Sequence, residues 1–233
     1  MPEGILLINK PVGWTSFDVV GLIRRKIALS SGVKPRMVKV GHTGTLDPFA
    51  QGLLIILVGN KYTKKMPEFL KLDKIYQVNM VLGKNSTTGD PEGEISAVSE
   101  KIPEKLEIQD VLKKFVGEIE QTPPIYSAIK IQGVRAYKLA RQGKQFDVPS
   151  RKIRINSIAL IDYEYPEVKF IADVSSGTYI RTLVSDIGKY LATGAYTKEL
   201  IRTKIGKYSL DRAIDINKDS DIGDILNNLI KLM

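Results

Sequence analysis

The sequence predicts a mixed α+β fold with a central mixed or antiparallel sheet flanked by helices, and three features of the chain lead there. Short apolar runs with strand patterns recur through most of its 233 residues, helical stretches fall between them at irregular spacing, and no internal repeat or low-complexity linker interrupts the series. Regular alternation of strand and helix would point instead to a parallel α/β sheet. A hydrophobic content of 43% over this length supports a sizeable core.

Taken in order, residues 4–9 are an apolar run ending in Lys10, Pro11, Val12 and Gly13, a strand entering a turn. Thr15 or Ser16 caps a helix over 17–28, where Val19, Val20, Ile23 and Ile27 recur at helical spacing. Residues 30–35 read as a loop, 38–40 as a short strand, and the aliphatic run 53–58 as a buried strand. Asn60 is placed to cap a helix reaching Leu70. Tyr76, Val78, Met80 and Leu82 alternate with the polar Gln77 and Asn79, a strand over 75–82. Residues 84–93 are a loop with a turn at Thr88, Gly89, Asp90 and Pro91, and a helix follows over 107–116. Pro123 and Pro124 forbid a regular element in 121–130, which reads as an extended rim. Strands over 152–162 and 168–174 meet at a turn near Pro166. Ser175, Ser176, Gly177 and Thr178 cap a helix from Tyr179 to about Leu191. A strand over 195–204 and a helix over 219–232 complete the chain.

Composition narrows the chemistry. The chain has no cysteine and one histidine, His42. Disulfides, thiolate catalysis, zinc–cysteine sites and two-histidine metal sites are excluded, and acid–base or covalent chemistry falls to carboxylates, tyrosines and lysines. The longest apolar run is far below the ~20 residues that span a bilayer, and the N-terminus lacks a basic region before a hydrophobic one, so a cytoplasmic protein without a membrane partner is expected. Thirty-five basic against 26 acidic side chains favour a polyanionic partner. Basic groups at 24–26, 61–65, 71–74, 151–154 and 202–207, several beside tyrosines, match what looped or single-stranded nucleic acid requires.

Two places concentrate features that core-building does not require. Residues 41–52 hold three glycines, His42, and Asp47 locked in front of Pro48, which pushes the aspartate toward an extended conformation. Residue types alone leave two readings: a polar turn between strands, or a stiff loop presenting one carboxylate. Arg181 falls in the first turn of its helix, where a cation opposes the helix dipole. It is either an ordinary surface residue or an arginine kept there for a task.

Several ordered motifs decide between these readings. Gly4-Ile5-Leu6-Leu7-Ile8-Asn9-Lys10-Pro11, residues 41–52, Asp73-Lys74-Ile75-Tyr76, residues 121–130, Ser176-Gly177-Thr178-Tyr179-Ile180-Arg181 and Leu200-Ile201-Arg202-Thr203 resemble, in the same order, the motifs of the TruB family of bacterial tRNA pseudouridine synthases. The resemblance spans about residues 4–210. It implies the pseudouridine synthase fold with an RNA-binding cleft, and a catalytic domain over 1–210. Residues 211–233 remain as a short tail or helix, too short for the small PUA-like RNA-binding domain that such proteins commonly carry, which is expected to be absent.

The implied reaction is isomerisation of the T-loop uridine of tRNA, position 55, to pseudouridine. The glycosidic bond breaks, the base turns, and it rejoins through carbon, with no redox change, cofactor or metal. The resemblance assigns attack on the sugar, or proton abstraction, to Asp47, a role suited to a carboxylate. It gives Tyr76 stacking on the extruded uracil and a part in the final proton removal, and has Arg181 pair with the catalytic aspartate. His42 inserts into or braces the T-loop, while Tyr179, Lys10, Lys64, Lys130 and Leu200 supply pocket walls or phosphate contacts. The implied partner is the T-arm stem-loop of tRNA, with a monomer needing no protein partner and no guide RNA. A guide-RNA-dependent catalytic subunit and a non-catalytic RNA-binding module are the alternatives.

Overall fold

The structure, a computed structural model, describes residues 1–231 except 128 and 145. The chain runs β1 (Gly4–Lys10), α1 (Ser16–Ser30), a 3-10 turn (Pro35–Met37), β2 (Val40–His42), β3 (Gln51–Val58), α2 (Asn60–Thr63), α3 (Met66–Leu70), β4 (Lys74–Leu82), β5 (Lys84–Ser86) and β6 (Ile95–Ala97). It continues through α4 (Lys105–Lys114), β7 (Gly117–Gln121), β8 (Lys130–Ile131), β9 (Val134–Arg135), α5 (Ala136–Arg141), β10 (Arg151–Glu164), β11 (Glu167–Val174) and α6 (Ile180–Tyr190). Last come β12 (Ala195–Ile205), β13 (Tyr208–Ser209), a 3-10 turn (Leu210–Arg212), β14 (Ile214–Asp215) and α7 (Ile222–Asn227). Ten of the strands form one mixed sheet in the order β14-β1-β3-β12-β4-β11-β10-β7, with β2 added to β3 and β13 to β12. This is the α+β architecture on a central sheet that the sequence predicts. Among the described residues no helix is long and apolar enough to cross a membrane.

Residues 1–76 with those from 200 onward form one compact unit, and residues 77–199 a second. In the first, β1 runs antiparallel to β3 along its whole length, from Gly4 opposite Val58 to Lys10 opposite Gly52. Side chains alternate between faces of a strand. Leu6, Ile8, Leu54, Ile56 and Val58 therefore share one cluster with Val19, Val20, Leu22, Ile23 and Ile27 of α1, and Ile5, Leu7, Leu53, Ile55 and Leu57 share another with Tyr62, Phe69 and Ile205. A strand covered on both faces reads as an unbroken aliphatic run, which is why 53–58 shows no alternation. Helix α1 is started by a capping box, with Thr15 accepting from the Asp18 amide and the Asp18 carboxylate accepting from Thr15.

In the second unit β10 pairs antiparallel with β11 and with β7. Val168, Phe170, Ala172 and Val174 are buried at alternate positions of β11, and α6 buries Ile180, Leu183, Val184 and Ile187.

The elements depart from the sequence reading in several places, and residues 84–86, read as part of a loop, form β5 paired with β6. The strand expected over 38–40 pairs only from Val40, because Pro35 opens a 3-10 turn ahead of it. The helix expected over 60–70 is two helices, broken at Lys64 and Lys65, because Pro67 lacks the N–H and the room that a continuous helix needs. Gly59, and not Asn60, occupies its N-cap position. At the start of α6 no side chain of residues 175–178 caps the helix; the Tyr179 amide donates instead to Oε1 of Gln121, 58 positions earlier, at 2.8 Å. The last helix is confined to Ile222–Asn227 behind its cap Asp221, and the expected end at Leu232 lies outside the described residues.

Gly52 has φ +111°, and a Cβ there would stand 2.5 Å from the Arg202 carbonyl oxygen and 2.7 Å from its amide nitrogen. Gly52→Ala should therefore part β3 from β12 and destabilise the fold by roughly 2–5 kcal/mol in urea unfolding, whereas wild-type stability would contradict this packing.

Candidate active site

Residues 43–50 link β2 to β3, and buried groups of the first unit hold their backbone from several directions. The Thr43 amide donates to Ile55 O at 3.1 Å, extending the β2–β3 ladder. Leu46 is gripped twice by the buried Ser16 hydroxyl, which accepts from its amide at 2.9 Å and donates to its carbonyl at 3.1 Å. The carbonyl of Pro48 accepts from the Gly13 amide at 2.8 Å and from Lys10 Nζ at 3.4 Å. A tight turn closes with the Ala50 amide on Asp47 O at 3.1 Å. Farther out, Arg202 donates through Nε to Leu53 O at 2.7 Å and through Nη2 to Gly44 O at 3.1 Å. Asp47 is partly exposed between the buried Leu46 and Ala50. The carboxylate is thus carried on a backbone fixed on both sides.

Lys10 is completely buried, and its ammonium also donates to Pro11 O at 2.8 Å and Trp14 O at 2.6 Å. In this structure it ties the turn after β1 to the Asp47 loop, and presents no surface for a phosphate. Arg202 and Lys74, grouped by the sequence with surface cations, are 1% and 7% exposed. Lys74 Nζ donates to Leu70 O at 3.2 Å and to Leu72 O. Burial pushes its pKa down to about 8, the Arg202 charge adds to the effect, and Asp73 opposes it.

Tyr76 lies two residues along β4 from Lys74 and is 6% exposed. The start of that strand is tied by Thr203 Oγ1 to Ile75 O at 3.2 Å and by the Gly206 amide to Asp73 O at 2.8 Å. His42 ends β2, and its ring meets that of Phe17 edge-on at 5.3 Å. Lys64 is exposed just after α2, and Leu200 is buried in β12. These residues all belong to the first unit.

The second unit carries Lys130, Tyr179 and Arg181. Lys130 is exposed in β8; residues 122–127 form no helix or strand, as expected of the rim, and position 128 lies outside the described residues. Arg181 is the second residue of α6 and 5% exposed, which rules out an ordinary surface arginine. Its Nη1 donates to Thr88 O at 2.8 Å and lies 3.2 Å from Asp90 Oδ2, while Nη2 donates to Tyr126 O at 2.9 Å. The other oxygen of Asp90 accepts from the Thr88 hydroxyl and from the Glu92 amide at 3.0 Å. A buried carboxylate thus offsets the poor position of a cation at a helix start. Tyr179 lies with the Arg151 guanidinium 4.9 Å over its ring, and Gln121 bridges its amide and carbonyl.

Sequence reasoning took Asp90 as a turn residue only. One signal was present: Asp90-Pro91 repeats the Asp47-Pro48 pattern of a carboxylate set in front of a proline. The roles of Ser16, read as a candidate helix cap, and of Gln121, read as part of the rim, are not legible locally, because their partners lie 30 and 58 positions away.

Residues 31–180 match the model of the TruB family pseudouridylate synthase N-terminal domain. Over 231 residues, 98% of this chain, the sequence is 42% identical to tRNA pseudouridine synthase B of Parabacteroides distasonis, covering 95% of that protein. It is 41% identical over 215 residues to the protein of the same name from Chlamydia muridarum, covering 92% of this chain and 86% of the other. A chain in the crystal structure of a Cbf5-Nop10-Gar1 complex superposes with a TM-score of 0.70 at 28% identity, covering 96% of this chain and 54% of that one.

Arg202→Lys keeps the charge but replaces a two-pronged donor with a single point, leaving the buried carbonyl of Gly44 or Leu53 without its partner. Stability should fall by about 1–3 kcal/mol, and amide hydrogen exchange across 44–50 should quicken. Unchanged protection there would show that the guanidinium does not hold the loop.

Proposed function

Because the chain belongs to the TruB family of pseudouridylate synthases, we propose that it is a tRNA pseudouridine synthase that isomerises the T-loop uridine at position 55, without a guide RNA, as a monomer in the cytoplasm. The observation that carries this reading is the Asp47 loop: the family's motif is present almost throughout, and its backbone is held by Ser16, Lys10 and Arg202. A group that must meet one sugar carbon needs a preset position more than it needs mobility.

The uridine has to leave the RNA stack first, at a cost of a few kcal/mol. His42 and Tyr76 are assigned to offset that cost, His42 by occupying or bracing the emptied position and Tyr76 by stacking on the uracil. Asp47 then acts on the sugar, the glycosidic bond breaks, and the freed base turns and rejoins through its carbon. A base must remove the proton left on that carbon, and Tyr76 is assigned to assist. The atoms of substrate and product are the same, so no oxidant, cofactor or energy source enters the balance. Arg181 is assigned to keep the reacting carboxylate ionised, and its support is the family motif alone; the ion pair that the structure shows for it is with Asp90. Tyr179, Leu200, Lys64 and Lys130 remain assigned to pocket walls and phosphate contacts. Lys10 is reassigned to holding the loop. The 42% identity to tRNA pseudouridine synthase B against 28% to the Cbf5 complex favours the guide-free reading over a guide-directed one.

Asp47→Asn should abolish pseudouridine formation on a T-arm hairpin while RNA affinity stays within about threefold, measured by tritium release and filter binding. Turnover in this variant would remove Asp47 from the reaction. His42→Ala should lower kcat by roughly 10- to 100-fold without abolishing it, since a bracing residue changes the cost of extrusion and is not the reacting group; complete loss with normal RNA binding would assign His42 to the chemistry.

A further inference from the structure

Helix α1 borders a groove of about 690 Å³ lined by Trp14, Phe17, Gly21, Arg24, Arg25 and Lys218 among its residues. Three features of it are not explained by packing within the protein. Phe17 is 62% exposed although its ring edge meets His42. Gly21 sits in mid-helix, where glycine is a poor helix former, yet nothing lies within 4 Å of where a Cβ would stand. The groove holds three cations against one carboxylate, that of Asp18, and this acid is turned onto the Thr15 amide and hydroxyl at 2.8 and 2.6 Å, which lowers its pKa. Aromatic surface, an open floor and excess positive charge suit a planar base linked to phosphates.

We propose that this groove receives an unpaired nucleotide of the RNA substrate other than the reacting uridine, its base against Phe17 and Trp14 and its phosphates on Arg25 and Lys218. Phe17 thereby extends the RNA-bracing surface of His42 along α1. The absent side chain at Gly21 leaves room for the base, and Arg24, which donates to Val40 O at 3.0 Å, is held as a fixed wall. The proposal rests on the RNA-modifying reading above, and the groove borders the Asp47 stretch through Phe17 against His42 and the Gly13 amide on Pro48 O.

Trp14 is the single tryptophan of the chain, so its fluorescence reports the groove directly. The Asp47→Asn protein is titrated with a T-arm hairpin while binding is followed separately by anisotropy of labelled RNA. Binding should quench Trp14 emission. Gly21→Leu, which fills the groove and favours the helix, should remove the quench and weaken affinity about tenfold. Phe17→Ala should weaken binding similarly. Saturation by RNA with no change in Trp14 emission, or wild-type affinity in the Gly21→Leu protein, would overturn the proposal. Quenching by RNA from a wild-type chain that forms no pseudouridine would retain the groove and sink the enzymatic reading; pseudouridine formation with no effect of either variant would do the reverse. A chain that binds no RNA would sink both.

Discussion

A guanidinium without access to water fixes the part of this molecule that matters for chemistry. Arg202 is 1% exposed and cannot shed its charge, so its burial is tolerable only where carbonyl dipoles surround it. Leu53 and Gly44 provide them. Those two carbonyls lie at opposite ends of the loop that carries Asp47, so the need to solvate one charge closes the loop into one shape. Gly52 belongs to the same constraint, since only a residue without a Cβ lets β3 come so near the Arg202 backbone. Ser16 and Lys10 act from the other side of the loop in the same way.

The rest of the first unit serves as the rigid base for this arrangement. β3 is apolar on both faces because α1 and α7 cover one side and the α2–α3 segment the other, so its position is set by two clusters at once. A loop anchored at the start of such a strand inherits its rigidity. In the second unit the same logic recurs at smaller scale. Arg181 and Asp90 are buried together, and four neighbouring backbone or hydroxyl groups hydrogen-bond to them.

Much of the architecture was legible because it is local. The aliphatic run 53–58, the alternation over 75–82 and the cap at Thr15, one of two residues the sequence offers, each announce themselves within a window of a few residues. The departures are of two kinds. Pro67 breaks a helix expected to be continuous over 60–70, a misjudged local rule, and the 3-10 turn at Pro35–Met37 shortens the strand expected over 38–40. The start of α6 could not be read locally, because its amide partner, Gln121, belongs to another element.

The site was legible to a different degree. Asp47 stood out through Pro48 and its glycines, but its role, with those of His42, Tyr76 and Arg181, came from resemblance and not from spacing. The long-range ties escaped notice for a physical reason: Lys10, Lys74 and Arg202 carry charges, and a sequence assigns charges to the surface unless their carbonyl partners are known. Burial converts them from RNA-binding candidates into supports, and it reduces the surface cations credited to an RNA interface.

Incubating the purified wild-type protein with unmodified tRNA, with no guide RNA or other protein added, and mapping pseudouridine by chemical sequencing tests the central claim most directly. The proposed function predicts pseudouridine at the T-loop uridine, position 55. An unmodified T-loop under these conditions, with the RNA demonstrably bound, would contradict it.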